Sequence, residues 1–320
     1  MKTTDVIQAL NTKSELLKSK GQKGTGDLYK DAASSLSRFK KSKIPFASVT
    51  KQFLEDYESW MLREGKAPRG KDQKKGSPAS PSTVAIYLRN LRSVFNDAIN
   101  DKIISRDSYP FGSEGHKIST GSNRNIAQPI NNIKTIMDFA CEVQNCDRSR
   151  DFWVLSYISN GLNFRDLLHL KWSDIDFQAG VMSIVREKSK RKKGSHIEIP
   201  LLPESIDIIN KWSSKSKGAN SFVFDIMRQS MSPDEKEKAS DNFIKTTNRW
   251  MEKICDTIGI DRVTTYGARH SFATILLHSG APVAYISKAL GHSSMKTTES
   301  YFGRFETSKA KEYSKALIPS

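Results

Sequence analysis

Two side chains that could hold an anion stand together in "TTYGARHSFATILLHSG", residues 264–280. Arg269 and His270 head a run that otherwise reads as core. Thr264 or Thr265 can cap a helix there, and Phe272, Ile275 and Leu276 give it a buried face. A guanidinium so placed loses part of its hydration and needs an anion, either an internal carboxylate or a ligand. Downstream, "AYISKALGHSSMKTTESYF" ends one helix at Leu290 and Gly291 and places His292 just after it. Ser294 can start a further helix, and Tyr301 falls within it. In "VREKSKRKKGSHIEIPL", Arg186 and Lys188 fall on one face of a strand, two residues apart. Asp174 and Asp176 in "WSDID" have the spacing of metal ligands. They sit at a turn entering a strand, without a convincing third carboxylate, and no metal or other cofactor is expected.

The elements that position these residues are mostly helical. From Leu28 a helical pattern runs through Ala32, Leu36 and Phe39, and Pro45 breaks it. Thr50 can cap a second helix that carries Phe53, Leu54, Tyr57, Trp60 and Met61 on one face and ends at Gly65. The stretch "GKAPRGKDQKKGSPASPS" reads as an exposed basic loop. A long helix follows with Val84, Leu88, Leu91, Phe95 and Ala98 in steps of four and three, stopped by "SYPFG". Residues 113–127 are poor in apolar side chains and read as a linker. Two helical stretches follow, around 133–143 and 152–159. The one β region is "DIDF", "GVMSIVRE" and "HIEIPL". Helical patterns then run to the end, broken at Gly259, Gly280 and Gly291. The fold class is mainly α with a small antiparallel β-sheet, in two domains.

Charge narrows the partner. The 320 residues hold 51 Lys and Arg against 35 Asp and Glu, a net +16, which favours a polyanion, nucleic acid first. No apolar run approaches the ~18 residues of a membrane span, so no membrane partner is expected. "MKTTDVIQAL" lacks the apolar core of a signal peptide. Cys141, Cys146 and Cys255 show no paired metal spacing and read as buried free thiols in a reducing compartment. The expected location is the bacterial cytoplasm, with the nucleoid.

The elements "ARHSFAT", "ALGHSS" and "TTESY" together resemble the C-terminal signature of the tyrosine recombinase (phage integrase) family, with Arg269, His292 and Tyr301 in register. The resemblance covers nearly the whole chain. It implies a helical core-binding (SAM-like) domain over residues 25–112 after an extension at 1–24, a linker at 113–127, an α+β catalytic domain at 128–304 and a tail helix at 305–320. It implies site-specific DNA recombination. A tyrosine phenol, Tyr301, attacks a phosphodiester and forms a 3′-phosphotyrosyl link that stores the bond energy for rejoining. Arg269 grips the non-bridging oxygens bidentately. His292 is the second phosphate ligand or a proton-handling group. Lys188 stands where the family's β-hairpin lysine protonates the leaving 5′ oxygen. The alternative is a sequence-specific DNA-binding protein of the same fold with lost or weak catalysis.

Two positions depart from the family pattern. Tyr266 stands where the second box usually has His or Lys. It can still donate a hydrogen bond to phosphate. Asn163 in "NGLNFRDLL" stands where the first family arginine belongs, with Arg165 two residues later on the opposite side of a helix. Arg186 is the replacement cation by this reading, and Arg165 a surface or DNA-backbone arginine. His270 is expected to make a packing hydrogen bond. These variants resemble the integrases of Bacteroidetes mobile elements.

DNA contacts are expected from Lys66, Arg69, Lys71, Lys74 and Lys75 in the basic loop, from Arg89 and Arg92 on the long helix, and from Lys190, Arg191, Lys192 and Lys193 at the hairpin turn. In the tail, Phe305, Ala310, Tyr313 and Leu317 recur at helical spacing. By the family resemblance this tail docks on a neighbouring protomer, giving a tetramer on double-stranded DNA with paired recombination sites. An accessory DNA-bending protein is a further partner the resemblance admits.

Overall fold

The computed structural model describes residues 3–68, 76–119, 126–185, 196–215, 218–292 and 294–299, the side chains of 296 and 299 excepted. Arg69, Lys71, Lys74, Lys75, Arg186, Lys188, Lys190, Arg191, Lys192, Lys193, Tyr301 and the tail 305–320 lie outside the described residues. The chain divides into two compact units, residues 1–122 and 123–320.

The first unit is helical: α1 (Val6–Ser19), α2 (Lys23–Phe39), α3 (Lys51–Glu64) and α4 (Pro81–Asn100). Each of three helix starts is fixed by a short polar residue. Asp5 accepts from the Gln8 amide, Thr50 from that of Phe53 and Ser80 from that of Thr83, with Pro81 opening α4. The apolar positions of α4 read from sequence are all buried, Leu88, Leu91 and Phe95 completely. Such side chains stabilise the unit by roughly 2 kcal/mol each.

Residues 1–24, expected as an extension, contribute α1, which lies inside this unit. Val6, Leu10 and Ser14 fall four apart on one face, and the first two are completely buried. Ser14 Oγ donates to Gly26 O at 2.7 Å, and Lys13 Nζ lies 2.6 Å from Asp97 on α4. Leu28 was expected in the core of α2 but is exposed. Tyr29 takes the inward position, because the buried face runs through Tyr29, Ala32, Ala33 and Leu36.

The second unit is built around α6 (Gln144–Ile158), preceded by α5 (Ile130–Asp138). Phe152, Trp153, Val154 and Leu155 are consecutive and all buried, so α6 is apolar on every side at this level and must be covered all round. It packs against α8 (Pro203–Trp212), α9 (Pro233–Ile258) and α10 (Thr265–His278). Asp151 Oδ2 accepts from Lys211 Nζ and Trp212 Nε1, each at 2.8 Å, which ties α6 to α8.

The sheet has three antiparallel strands in the order β1 (Ile175–Asp176), β2 (Val181–Val185), β3 (His196–Pro200). Met182 faces Ile199 and Ile184 faces Ile197, and these four point into the core while Ser183 and Glu198 point out. Gly259, Gly280 and Gly291 each end a helix with positive φ, where a side chain would be strained.

Cys141 and Cys146 were read as free thiols, but they are joined in a disulfide with Cα atoms 5.7 Å apart; only Cys255 is free and buried. The turn between α5 and α6 brings two cysteines five residues apart within bonding reach. No helix among the described residues is long and apolar enough to cross a membrane.

Candidate active site

The start of α10 is held from outside the helix. Thr264 occupies the N-cap position without a side-chain bond, contrary to the expected cap. Instead Asn248 on α9 accepts the Thr265 amide at 2.7 Å, and Thr264 O accepts the Trp153 indole N–H at 2.9 Å. Two anchors from the core thus set the position of the arginine four residues on.

Arg269 is only 4% exposed. Its Nη1 donates to Gly161 O at 3.0 Å and its Nη2 to Leu290 O at 2.5 Å. Nη2 also lies 3.0 Å from His292 Nε2, and His292 Nδ1 lies 2.8 Å from Thr298 Oγ1. Four segments therefore meet in the network formed by Arg269 and His292. They are the turn after α6, α10, the end of α11 (Val283–Ala289) and α12 (Met295–Glu299). The turn approaches so closely because residue 161 is glycine. Its φ is +58°, and a Cβ there would lie 2.9 Å from Arg269 Cα. A charge so deeply buried is tolerated because carbonyl dipoles and the imidazole replace water. The arrangement fixes the plane of the guanidinium through two main-chain carbonyls.

The structure brings Arg269 and His292 together. Asn163 is the N-cap of α7 (Phe164–Leu168), its Oδ1 accepting from the Arg165 amide at 3.0 Å. Arg165 pairs with Asp241 on α9 at 2.6 Å, both side chains more than two-fifths exposed. Tyr266 is about half exposed and meets His270 edge-on, ring centres 4.7 Å apart. Lys66 is exposed and its main chain bridges to Ser77; Arg89 and Arg92 are exposed on α4. Asp174 accepts the Lys171 amide, and Asp176 Oδ1 accepts those of Gln178 and Ala179, so both carboxylates close turns. Sequence reading missed Gly161, Asn248 and Thr298. The "NG" pair at 160–161 was a turn signal; nothing local marked the other two.

His270 illustrates the electrostatic environment. Burial, and then the Arg269 charge beside it, push its imidazole down from 6.5 to about 4. It therefore stays neutral in the folded protein at pH 5 to 6, where the unfolded chain takes up a proton. The unfolded state binds more protons there, so stability is full above about pH 6.5 and is lost as pH falls towards 4. His270→Gln is expected to flatten that part of the stability curve, measured by urea unfolding at pH 7 and pH 5. Identical curves for the variant and the parent would refute the shift.

A helical unit followed by an α+β unit with a buried arginine at its centre defines a class. The Tn1549 transposon integrase, solved in complex with transposon right end DNA, shares the fold with a TM-score of 0.71 at 17% identity, covering 98% of this chain and 99% of that one. A lambda integrase dimer bound to a COC′ core site shares it with a TM-score of 0.62 at 16% identity, over 94% of this chain and 98% of that one. Residues 129–307 match the model of the phage integrase family, and residues 5–118 that of the phage integrase SAM-like domain. The chain belongs to the phage integrase family. Tyrosine recombinase XerA of Pyrococcus furiosus is 32% identical over 161 residues, half of this chain and 52% of that protein. The chain thus spans about half the length of that relative. Tyrosine recombinase XerD of Listeria innocua is 26% identical over 236 residues, 69% of this chain and 71% of that one.

Proposed function

We propose that this chain recombines double-stranded DNA at paired sites through a 3′-phosphotyrosyl intermediate, integrating, excising or inverting a DNA element. The observation that carries the reading is the buried Arg269 guanidinium bonded to His292, in a chain of this family. In the proposed step Tyr301 Oη gives up its proton to solvent and attacks phosphorus, and the 5′ oxygen leaves. Arg269 and His292 take the charge on the non-bridging oxygens, Tyr266 donates a further hydrogen bond, and Lys188 gives the leaving oxygen its proton. The reverse attack by a 5′ hydroxyl rejoins the strand, and no metal or cofactor is required. Lys66, Arg69, Lys71, Lys74, Lys75, Arg89, Arg92, Lys190, Arg191, Lys192 and Lys193 neutralise DNA phosphates. The tail at 305–320 joins protomers into a tetramer on DNA, an accessory protein bends the DNA, and the protein works at the bacterial nucleoid. The element it moves is of the Bacteroidetes type.

Incubation with a nicked suicide substrate tests the chemistry. A covalent adduct mapped to Tyr301 by mass spectrometry is expected. A complex that stays non-covalent under every condition supports a DNA-binding protein without catalysis instead. The same assay locates the missing cation. Asn163 serves as a cap and Arg165 pairs with Asp241, which supports giving the first arginine's work to Arg186. Arg186→Ala is expected to slow adduct formation about 10²-fold and Arg165→Ala less than about tenfold. The opposite order overturns the assignment.

A further inference from the structure

Both ring nitrogens of His292 are engaged, and their partners fix where its proton sits. Nε2 lies 3.0 Å from Arg269 Nη2. A guanidinium N–H only donates, so Nε2 presents its lone pair to it. In the neutral ring the proton is then on Nδ1, which lies 2.8 Å from Thr298 Oγ1 and donates to it. Thr298 is completely buried, so this bond does not compete with water.

A phosphate held by Arg269 and His292 reverses the demand on the ring. Phosphate oxygens accept, so Nε2 must now carry a proton and donate. In the neutral ring one proton leaves Nδ1 for solvent and another reaches Nε2, with no net change. Nδ1 is then bare and needs a donor. A hydroxyl is a side chain that serves both states, since its oxygen accepts from Nδ1–H and its own proton donates to bare Nδ1. A carboxylate or amide oxygen in its place would accept only and hold the proton on Nδ1. We propose that Thr298 is a positioning residue that lets His292 move its proton from Nδ1 to Nε2 when a DNA phosphate enters, while keeping the ring in place. This inference rests on the reading that Arg269 and His292 hold the phosphate.

Thr298→Val keeps the buried volume and removes the hydroxyl; Thr298→Ser keeps the hydroxyl. Single-turnover cleavage of the nicked substrate is expected to fall about tenfold or more in the valine variant and to stay within about threefold in the serine variant. DNA affinity stays unchanged in both. The direct readout is the ¹⁵N spectrum of the imidazoles, with His292 among the six histidines assigned by its loss in His292→Gln. The DNA-free protein is expected to show His292 as the Nδ1–H form. The complex, with Tyr301→Phe to halt chemistry, is expected to show it as the Nε2–H form. Retention of Nδ1–H in the complex overturns the proposal, as does a valine variant that cleaves normally or a serine variant as slow as valine. Arg269→Ala in the same assay separates the two levels. If Arg269→Ala cleaves normally, the phosphate-site reading itself fails; if it is inactive while Thr298→Val is normal, only the tautomer proposal fails.

Discussion

Arg269→Ala is expected to lower single-turnover cleavage by about 10³-fold or more. The magnitude follows from where the guanidinium sits. It is 4% exposed, and main-chain oxygens of Gly161 and Leu290 fix its plane before any substrate arrives. A donor already in place costs no reorganisation when charge develops on the non-bridging oxygens, and low surrounding polarity strengthens it. Lysine restores the charge but not the fork. A single ammonium cannot hold two carbonyls and a phosphate in one plane, so Arg269→Lys is expected to recover at most about one order of magnitude. Affinity for DNA should change little, because one phosphate contact among many contributes a small part of binding. The measurement is adduct formation under saturating protein, with circular dichroism confirming that the variant folds. Cleavage by a folded Arg269→Ala within tenfold of the parent would remove Arg269 from the chemistry and with it the proposed mechanism.

The sequence exposed the parts of this site that depend on local pattern. Helix α10 was legible because its apolar run is long, and the break at Gly291 because a positive φ needs glycine. The sheet was legible from alternation, and Met182, Ile184, Ile197 and Ile199 do line its inner face. What was not legible lies far apart in the chain. The Arg269–Gly161 bond spans 108 residues and the Trp153–Thr264 bond 111. No periodicity reports such a pairing. Leu28 was misplaced for a different reason. Leucine and tyrosine stand side by side, both suit a buried helix face, and only the register set by the neighbouring helices decides between them. The reading of free thiols failed because Cys141 lies in the connection after α5 and Cys146 in the first turn of α6, so their approach depends on how that connection folds back. Asn163 was noticed as a missing arginine, although an asparagine opening "NFRDLL" is also a helix cap.

Gly161→Ala is expected to cost stability and cleavage together, and a second glycine separates the causes. At φ +58° an alanine pays the left-handed backbone cost of about 1–2 kcal/mol. Its Cβ would also lie 2.9 Å from Arg269 Cα and 3.2 Å from Arg269 Cγ. The first of these is backbone, so relief requires the turn or α10 to move. Total destabilisation is expected at about 3 kcal/mol. Gly180 has a similar φ, +67°, with nothing within 4 Å of the added atom. Gly180→Ala therefore carries the backbone cost alone, and the difference between the two variants in urea unfolding reports the crowding. Cleavage divides more sharply. Displacing the Gly161 turn shifts a carbonyl that aims Arg269, so Gly161→Ala is expected to lose about 10²-fold under conditions where it is fully folded. Gly180→Ala is expected to cleave at the parent rate. Equal destabilisation and equal cleavage in the two variants would mean that the turn after α6 does not set the arginine, and that Arg269 is held by α10 and His292 alone.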